Sequence, residues 1–234
     1  MRFLVEDNVF DKLESVCFGV VVARGIDNAA NKSEIKDMLE ESIRATGEQM
    51  GKDKIKESPK IVPYRNAFTK LGFNPNKFAP SVEALISRIL KKGELPGINN
   101  IVDLVNAISI KYILPIGAHD MDLLKDDITV RFSVAGDRFI PFGAAEPEIL
   151  DAGELVYAGG NKIKTRRWIW RQSEQGKITE DSTNIFFPID GFIDENYESV
   201  ISARDELART LKQLFNCSVS VGFVDRHNQS MALE

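Results

Sequence analysis

The chain is 234 residues long, with 43% hydrophobic residues, 28% charged residues and a formal net charge of −5. This composition is typical of a water-soluble globular protein. No apolar run approaches the roughly 20 residues that a membrane helix needs, and the acidic first residues lack a signal-peptide pattern. The sequence therefore predicts a cytoplasmic protein without a membrane partner, and the negative charge argues against strong binding to bulk nucleic acid.

The cysteine and histidine content predicts neither redox chemistry nor a metal site. Cys17 and Cys217 both lie in apolar segments, where a buried pair of free thiols is expected. His119 and His227 are distant and unpaired in the sequence, so a zinc site is not expected. No glycine-rich loop precedes a helix to cradle a phosphate. We therefore expect no metal and no cofactor.

The first half of the chain predicts one strand followed by four helices. A run of valine, cysteine and phenylalanine at residues 15–23 indicates a buried strand. Apolar residues three and four apart indicate helices at residues 31–46, 61–73, 81–92 and 98–113. Asn31 or Ser33 is the expected N-cap of the first helix, and a polar turn with a solvated His119 is expected after the last.

The second half switches to the period-two alternation that is typical of strands. Strands are expected at residues 128–134, 139–141, 154–158, 162–171, 184–187 and 218–224, and one long helix at residues 197–215. Gly159 and Gly160 are the predicted turn of a hairpin, and Pro188 is the predicted end of a strand. Because no internal repeat or low-complexity linker interrupts the chain, we expect a single α+β domain over residues 1–234.

The most unusual stretch is residues 162–171, which contains both tryptophans, five basic residues and no acid. If it is one strand, each face carries arginine beside apolar side chains: Arg167 and Arg171 with Ile163 and Ile169, or Arg166 with Trp168 and Trp170. An unpaired buried guanidinium is very costly, so at least one arginine should meet a carboxylate, a ligand anion or a water-filled pocket.

Three interpretations of this basic and aromatic stretch stay open. Its arginine stems could lie on an exposed face while the tryptophans pack as core. It could line a pocket for an anionic or aromatic group, because guanidinium binds carboxylate and phosphate and stacks on rings. Finally, Arg167 and Arg171 could pair with carboxylates such as Glu154 or Asp190.

Three sequence blocks, taken together, resemble the B3/B4 domain of the phenylalanyl-tRNA synthetase beta subunit, and more closely its free-standing relatives. The first block is YRNAFTKLG at residues 64–72 with PSVEAL at 80–85. The second is NNIVDLVN at residues 99–106, which runs into LPIG at 114–117. The third is RRWIWR at residues 166–171 with IT at 178–179 and TNIFF at 183–187. The matching region spans about residues 10–225.

This resemblance implies an α+β fold with a central, largely antiparallel β-sheet flanked by helices. It also implies editing: in the synthetase, the domain hydrolyses tyrosine mischarged onto phenylalanine tRNA, in a pocket beside the helix that carries the NNxVD motif. Two functions follow as alternatives. One is a stand-alone domain that binds aminoacyl-tRNA, or its aminoacyl end, and hydrolyses a mischarged ester in trans. The other is a non-catalytic module that binds a free amino acid or a small carboxylate.

The expected partners are therefore tRNA or aminoacyl-tRNA and an amino-acid-like small molecule, while the oligomeric state is left open. The predicted substrate-binding residues are Arg65, Asn106, Arg167, Trp170 and Arg171, with arginines for phosphate or carboxylate and tryptophan for stacking. No catalytic residue is identified. A water molecule, rather than a covalent nucleophile, is expected to attack the ester.

Two positions depart from the synthetase pattern. Gly117 stands where the synthetase domain has a histidine, and Pro188 stands where it has a pocket glutamate. The pocket strand that is rich in glycine in the synthetase is here RRWIWR. These departures predict a ligand other than a tyrosyl ester, either another amino acid or an acidic compound.

Overall fold

Two β-sheets and six α-helices make up the part of the chain that the computed structural model describes, which is residues 1–29, 32–50 and 55–233. The helices are α1 (Asp7–Lys12), α2 (Ser33–Gln49), α3 (Val62–Lys70), α4 (Ser81–Lys92), α5 (Asn100–Tyr112) and α6 (Tyr197–Phe215), with a 3-10 turn at Ile55–Glu57. The strands are β1 (Arg2–Val5), β2 (Val16–Arg24), β3 (His119–Asp120), β4 (Ile128–Phe132), β5 (Arg138–Phe139), β6 (Glu148–Ile149), β7 (Leu155–Gly159), β8 (Lys162–Arg166), β9 (Arg171–Gln172), β10 (Asn184–Phe192), β11 (Ser218–Val224) and β12 (Ser230–Ala232).

The strands form two sheets rather than the one central sheet that was expected. The first sheet has the order β11-β2-β10-β3 and is antiparallel throughout. The second has the order β12-β1-β4-β7-β8-β5-β6, with β9 paired to β8. In it, β1 is parallel to β4 and β5 is parallel to β8, while the other pairs are antiparallel. The α+β class and the largely antiparallel pairing are confirmed.

Aromatic side chains join the two sheets in a shared core. The Phe3 ring of β1 lies 5.6 Å from the Phe18 ring of β2 and 5.0 Å from the Phe186 ring of β10, between ring centroids. On the other face of the first sheet, α6 packs at Gly19, where a Cβ atom would stand only 2.9 Å from the Val200 side chain. A glycine in β2 therefore allows the long helix to approach the sheet closely.

Most helices and several strands lie within a few residues of their predicted positions. The predicted helix at residues 197–215 and the strand at 218–224 match α6 and β11. The predicted N-cap at Asn31 lies outside the described residues, and Ser33 is the first residue of α2. Cys17 is buried and Cys217 is half-buried, and both are free thiols. Strand β12, at the edge of the second sheet, and its neighbour β1 were not predicted.

Two predictions near β10 are wrong. The strand does not end at Pro188 but continues to Phe192, because the Pro188 carbonyl accepts a hydrogen bond from Gly117 N–H. The proline nitrogen therefore faces away from β2, and the β2 ladder loses no bond. His119 is not in a solvated turn but is buried in β3, where it pairs with Phe186.

Each helix among the described residues is too short or too polar to cross a lipid bilayer.

Candidate functional site

The basic and aromatic stretch is not one strand, which corrects the assumption behind its two-faced pattern. Strand β8 ends at Arg166, and Arg167 and Trp168 then take left-handed backbone angles, with φ of 47° and 58°. The chain reverses and returns as β9, which pairs with β8. Bulky residues rarely adopt positive φ, so other contacts must hold this turn. Trp168 N–H donates to the Leu155 carbonyl at 2.6 Å, and Ser81 N–H donates to the Ile169 carbonyl at 2.9 Å.

The hairpin that precedes this turn is also shifted by one residue. Gly159 pairs with Lys162, so Gly160 and Asn161 form the loop instead of the predicted Gly159 and Gly160.

Trp168 and a buried carboxylate form the base of the site. Trp168 is 0% exposed, and its Nε1 donates to Asp190 Oδ1 at 2.6 Å. Tyr157 Oη donates to the same oxygen, also at 2.6 Å. Burial raises the pKa of the Asp190 carboxyl to about 7, against the opposing effect of these two hydrogen bonds. Both bonds end on Oδ1, and Asp190 Oδ2 has no hydrogen-bond partner among the described residues.

His119 is the second buried polar group of the site and is 1% exposed. Its ring stacks between Tyr157 and Phe186, with centroid distances of 5.8 and 6.0 Å. Burial, and secondarily the charge of Lys164, lowers the pKa of His119 to about 3, so the imidazole is neutral at pH 7. His119 Nδ1 is buried and has no hydrogen-bond partner in the described part of the chain.

Gly117 and Pro188 are the two positions that depart from the synthetase pattern. Both lie close to the His119 ring. A Cβ atom at Gly117 would stand 3.3 Å from His119 Nε2 and 3.1 Å from Pro188 Cγ. The imidazole therefore occupies the space that a side chain at position 117 would need. Pro188 stands where the synthetase has a pocket glutamate, but a carboxylate is still present nearby. It belongs to Asp190, two residues beyond Pro188 in β10.

Two adjoining cavities surround these groups. The inner cavity has a volume of about 100 Å³, and its lining includes His119, Thr165, Trp168, Trp170, Arg171 and Asp190. The outer cavity has a volume of about 420 Å³, and its lining includes Val105, Asn106, Phe142, Glu174 and Lys177. Ile116 and Gln172 line both. Gln172 Nε2 donates to the Ala118 carbonyl at 2.6 Å, which holds this side chain at the boundary.

Three of the five predicted substrate-binding residues lie at these cavities. Trp170 and Arg171 line the inner cavity, and Asn106 lines the outer one. The Asn106 amide is half-buried and makes no hydrogen bond to another described residue, unlike its neighbour Asp103, whose Oδ1 accepts from Ile98 N–H at 2.9 Å. Arg171 is exposed, and its guanidinium carbon lies 4.8 Å from the Trp170 ring centroid.

Arg167 lines neither cavity, because its guanidinium group is stacked and paired elsewhere. It lies 4.0 Å from the Phe78 ring centroid and 4.8 Å from the Trp170 ring centroid. Its Nη2 is 3.3 Å from Glu154 Oε1, so the predicted pairing with Glu154 is present. Arg166 donates to both oxygens of the same carboxylate, at 2.9 and 2.8 Å. The single carboxylate of Glu154 therefore pairs with two of the five basic side chains of this stretch.

Arg65 also lines neither cavity. Its Nη1 donates to both carboxylate oxygens of Glu83, at 2.8 and 2.9 Å, and its Nη2 donates to Asn76 Oδ1 at 2.8 Å. Glu83 is 2% exposed, so this bidentate pair is largely desolvated. These contacts join α3 to the turn at Asn76 and to the first turn of α4. Arg65 therefore has a structural role here, instead of the predicted contact with substrate.

The Arg65→Met variant is expected to lose about 3 kcal/mol of unfolding free energy, because it leaves the Glu83 carboxylate buried and unpaired. The double variant Arg65→Met with Glu83→Met should recover most of that loss, since it removes both charges. Urea unfolding measures both values. Full stability of Arg65→Met together with loss of ligand binding would instead place Arg65 in the binding site.

Sequence reasoning missed Tyr157 and Gln172 and misplaced His119. It named Asp190 only as a possible ion-pair partner of Arg167 or Arg171, whereas Tyr157 and Trp168 are the partners of that carboxylate. One signal was available, because Asp190 is a lone carboxylate inside the apolar run of residues 185–192. The partners of that carboxylate, Tyr157 and Trp168, carry no such signal, since they reach it from the other sheet and from the turn after β8.

A family model described as the B3/4 domain matches residues 63–214, from within α3 to within α6. The chain belongs to the B3/4 domain family. It is 35% identical over 121 residues to the phenylalanine–tRNA ligase beta subunit of Fusobacterium nucleatum subsp. nucleatum, which covers 51% of this chain and 15% of that protein. It is 33% identical over 107 residues to the beta subunit of the same ligase from Geobacter metallireducens, which covers 45% of this chain and 13% of that protein.

A solved structure has a similar fold. An N-terminal fragment of the phenylalanyl-tRNA synthetase beta subunit from Pyrococcus horikoshii superposes with a TM-score of 0.51, over 93% of this chain and 49% of that chain. The sequence identity is 11%, so this likeness concerns the fold alone. This B3/4 domain is thus related to a domain of tRNA synthetases, and it spans only a small part of the two curated relatives.

Proposed function

We propose that this B3/4 domain binds the aminoacyl end of tRNA and hydrolyses the ester of a mischarged amino acid in trans, acting as one domain over residues 1–234. Kinship to a domain of phenylalanine–tRNA ligase beta subunits supports a substrate that contains tRNA. The observation that carries the proposal is the pair of cavities that share Gln172 in their linings, one small and one about four times larger.

The unequal cavities match the two parts of an aminoacyl-tRNA end. The aminoacyl group enters the inner cavity beside Trp170, and the terminal nucleoside occupies the outer cavity, where the Asn106 amide supplies hydrogen bonds. Phe142 is 56% exposed at the outer cavity and offers a face for base stacking. Arg171 is the arginine of the site that is exposed enough to meet a phosphate. Arg65 and Arg167 act indirectly, by fixing α3 against α4 and by supporting the Trp170 ring.

The chemistry requires a water molecule, a proton acceptor and support for the developing oxyanion. Water attacks the ester carbonyl, the bond to the ribose oxygen breaks, and the products are a free amino acid and a free ribose hydroxyl. His119 is a neutral imidazole at the inner cavity with a pKa lowered to about 3, so it positions the attacking water, and the proton of that water passes to solvent. The Gln172 amide, which lines both cavities, and the Asn106 amide of the outer cavity are neutral donors that support the oxyanion.

A panel of mischarged tRNAs tests this function. The wild-type protein should release at least one amino acid faster than buffer, and Asn106→Ala and His119→Gln should each slow that release by about 10². Arg44→Ala is the matched control, because Arg44 is an exposed residue of α2 whose recorded partner is Glu48. Release at the buffer rate across the whole panel would remove the enzymatic proposal.

The second candidate is a non-catalytic module that holds a free amino acid or small carboxylate. It is favoured by the pairing of Arg166 and Arg167 with Glu154, which leaves few cations near the cavities to hold an RNA backbone. A thermal shift assay separates the candidates, since a ligand of the folded state raises the melting temperature by mass action. A shift with an amino acid but none with tRNA favours the module.

A further inference from the structure

The inner cavity contains a carboxylate without a counter-charge. Asp190 is 2% exposed, yet it forms no ion pair with a described residue. Tyr157 and Trp168 donate to Oδ1 and stabilise the ionised form, but two neutral donors leave the negative charge uncompensated. Oδ2 accepts nothing from the described residues, although Asp190 lines the cavity. A ligand cation is the group that would complete this arrangement.

The volume limits the size of that cation. About 100 Å³ corresponds to roughly three water molecules at about 30 Å³ each. A primary ammonium group with its adjoining carbon fits this space, whereas a cavity that holds a benzene ring measures about 150 Å³. The exposed Arg171 lines the same cavity, so the lining carries a cation as well as the Asp190 carboxylate. This polarity suits a ligand with an ammonium group at one end and an anion at the other.

We infer that the inner cavity binds a primary ammonium group through Asp190 Oδ2, and that the ligand is a small amino compound or a small aminoacyl group. On the proposed function, which this inference extends, the ammonium is the amino group of the aminoacyl ester. The inference replaces the aromatic amino acid implied by the sequence resemblance with a small one. Tyr157 and Trp168 act as positioning residues, because they fix the carboxylate through its other oxygen.

The test uses three small amides of nearly equal shape: L-alaninamide with an ammonium group, L-lactamide with a hydroxyl group, and propionamide with neither. Binding to the wild-type protein is measured by NMR titration at about pH 7.5, where both the amine and Asp190 are substantially charged. L-alaninamide should bind at least tenfold more tightly than propionamide. The preference should disappear in the Asp190→Asn variant, whose amide oxygen can still accept from Tyr157 and Trp168. The control is Glu48→Gln, which removes an exposed carboxylate and should keep the preference.

Each other outcome decides the matter. Equal binding of L-alaninamide and L-lactamide would show that the site recognises a donor rather than a charge, and would overturn the inference. A preference for L-alaninamide that survives in Asp190→Asn would overturn it too. The probes contain no nucleoside, so they test this inference separately from the proposed function. Ammonium binding without deacylation of tRNA would contradict the proposed function only. Deacylation of tRNA without tighter binding of L-alaninamide than of propionamide would contradict this inference only.

Discussion

Between about pH 4 and pH 6.5, the Asp190→Asn variant should gain stability relative to wild type as the pH rises, and the His119→Gln variant should lose it. His119 has its pKa lowered to about 3, so the unfolded chain binds the extra proton in this range and stability rises with pH. Asp190 has its pKa raised to about 7, so the folded chain holds the extra proton and stability falls with pH. In the wild type the two slopes oppose each other.

Each slope is about 1.4 kcal/mol per pH unit, so each variant should differ from wild type by about 3 kcal/mol across the range. Urea unfolding at several pH values gives the free energies, and subtracting the wild-type curve removes the titration of all other groups. Any constant offset from repacking does not affect the slopes. Three parallel curves would contradict the burial of these two groups.

Trp168→Ala should cost about 4 kcal/mol of unfolding free energy, while Trp170→Ala should cost less than half of that. Trp168 is wholly buried, with its ring centroid 6.3 Å from Tyr64, 6.4 Å from Phe68 and 5.9 Å from Phe192. Trp170 is half-buried and packs at the rim against Phe78, at 4.9 Å between centroids. Substitution of Trp168 also removes a donor to the Asp190 carboxylate.

Chemical denaturation of both variants measures this difference, and Trp168→Phe separates its causes. That variant keeps most of the ring volume and should lose about 1–2 kcal/mol through the missing hydrogen bond. Equal losses for Trp168→Ala and Trp170→Ala, or the reverse order, would mean that the two indoles occupy equivalent positions. That result is the one expected for an unbroken strand over residues 162–171.

The periodicity of apolar residues correctly predicted the elements that carry a long, regular pattern in the sequence. Helix α6 repeats its apolar positions over five turns, and β2 is an uninterrupted apolar run, so both were placed correctly. The turn at Arg167 was not predictable in this way, because neither residue with positive φ is a glycine or an asparagine. Contacts from Leu155 and Ser81, remote in sequence, hold that turn.

The candidate site was predicted only in outline for the same reason. Asn106 and Arg171 stood out by their residue types against an apolar helix and an aromatic stretch. The burial of His119 depends on its pairing with Phe186, which is 67 residues later in the chain (186 − 119). The Asp190 cluster joins residues from two sheets. Such juxtapositions arise from strand order, which no local pattern in the sequence encodes.

A crystal structure with a non-hydrolysable aminoacyl end, such as 3′-alanylamino-3′-deoxyadenosine, tests the account most directly. The amino group should lie within hydrogen-bond distance of Asp190 Oδ2, and the nucleoside should occupy the outer cavity beside Asn106 and Gln172. A ligand bound instead in the separate groove that Pro63, Phe192 and Arg226 line would contradict the account. So would a ligand in the two cavities whose amino group points away from Asp190.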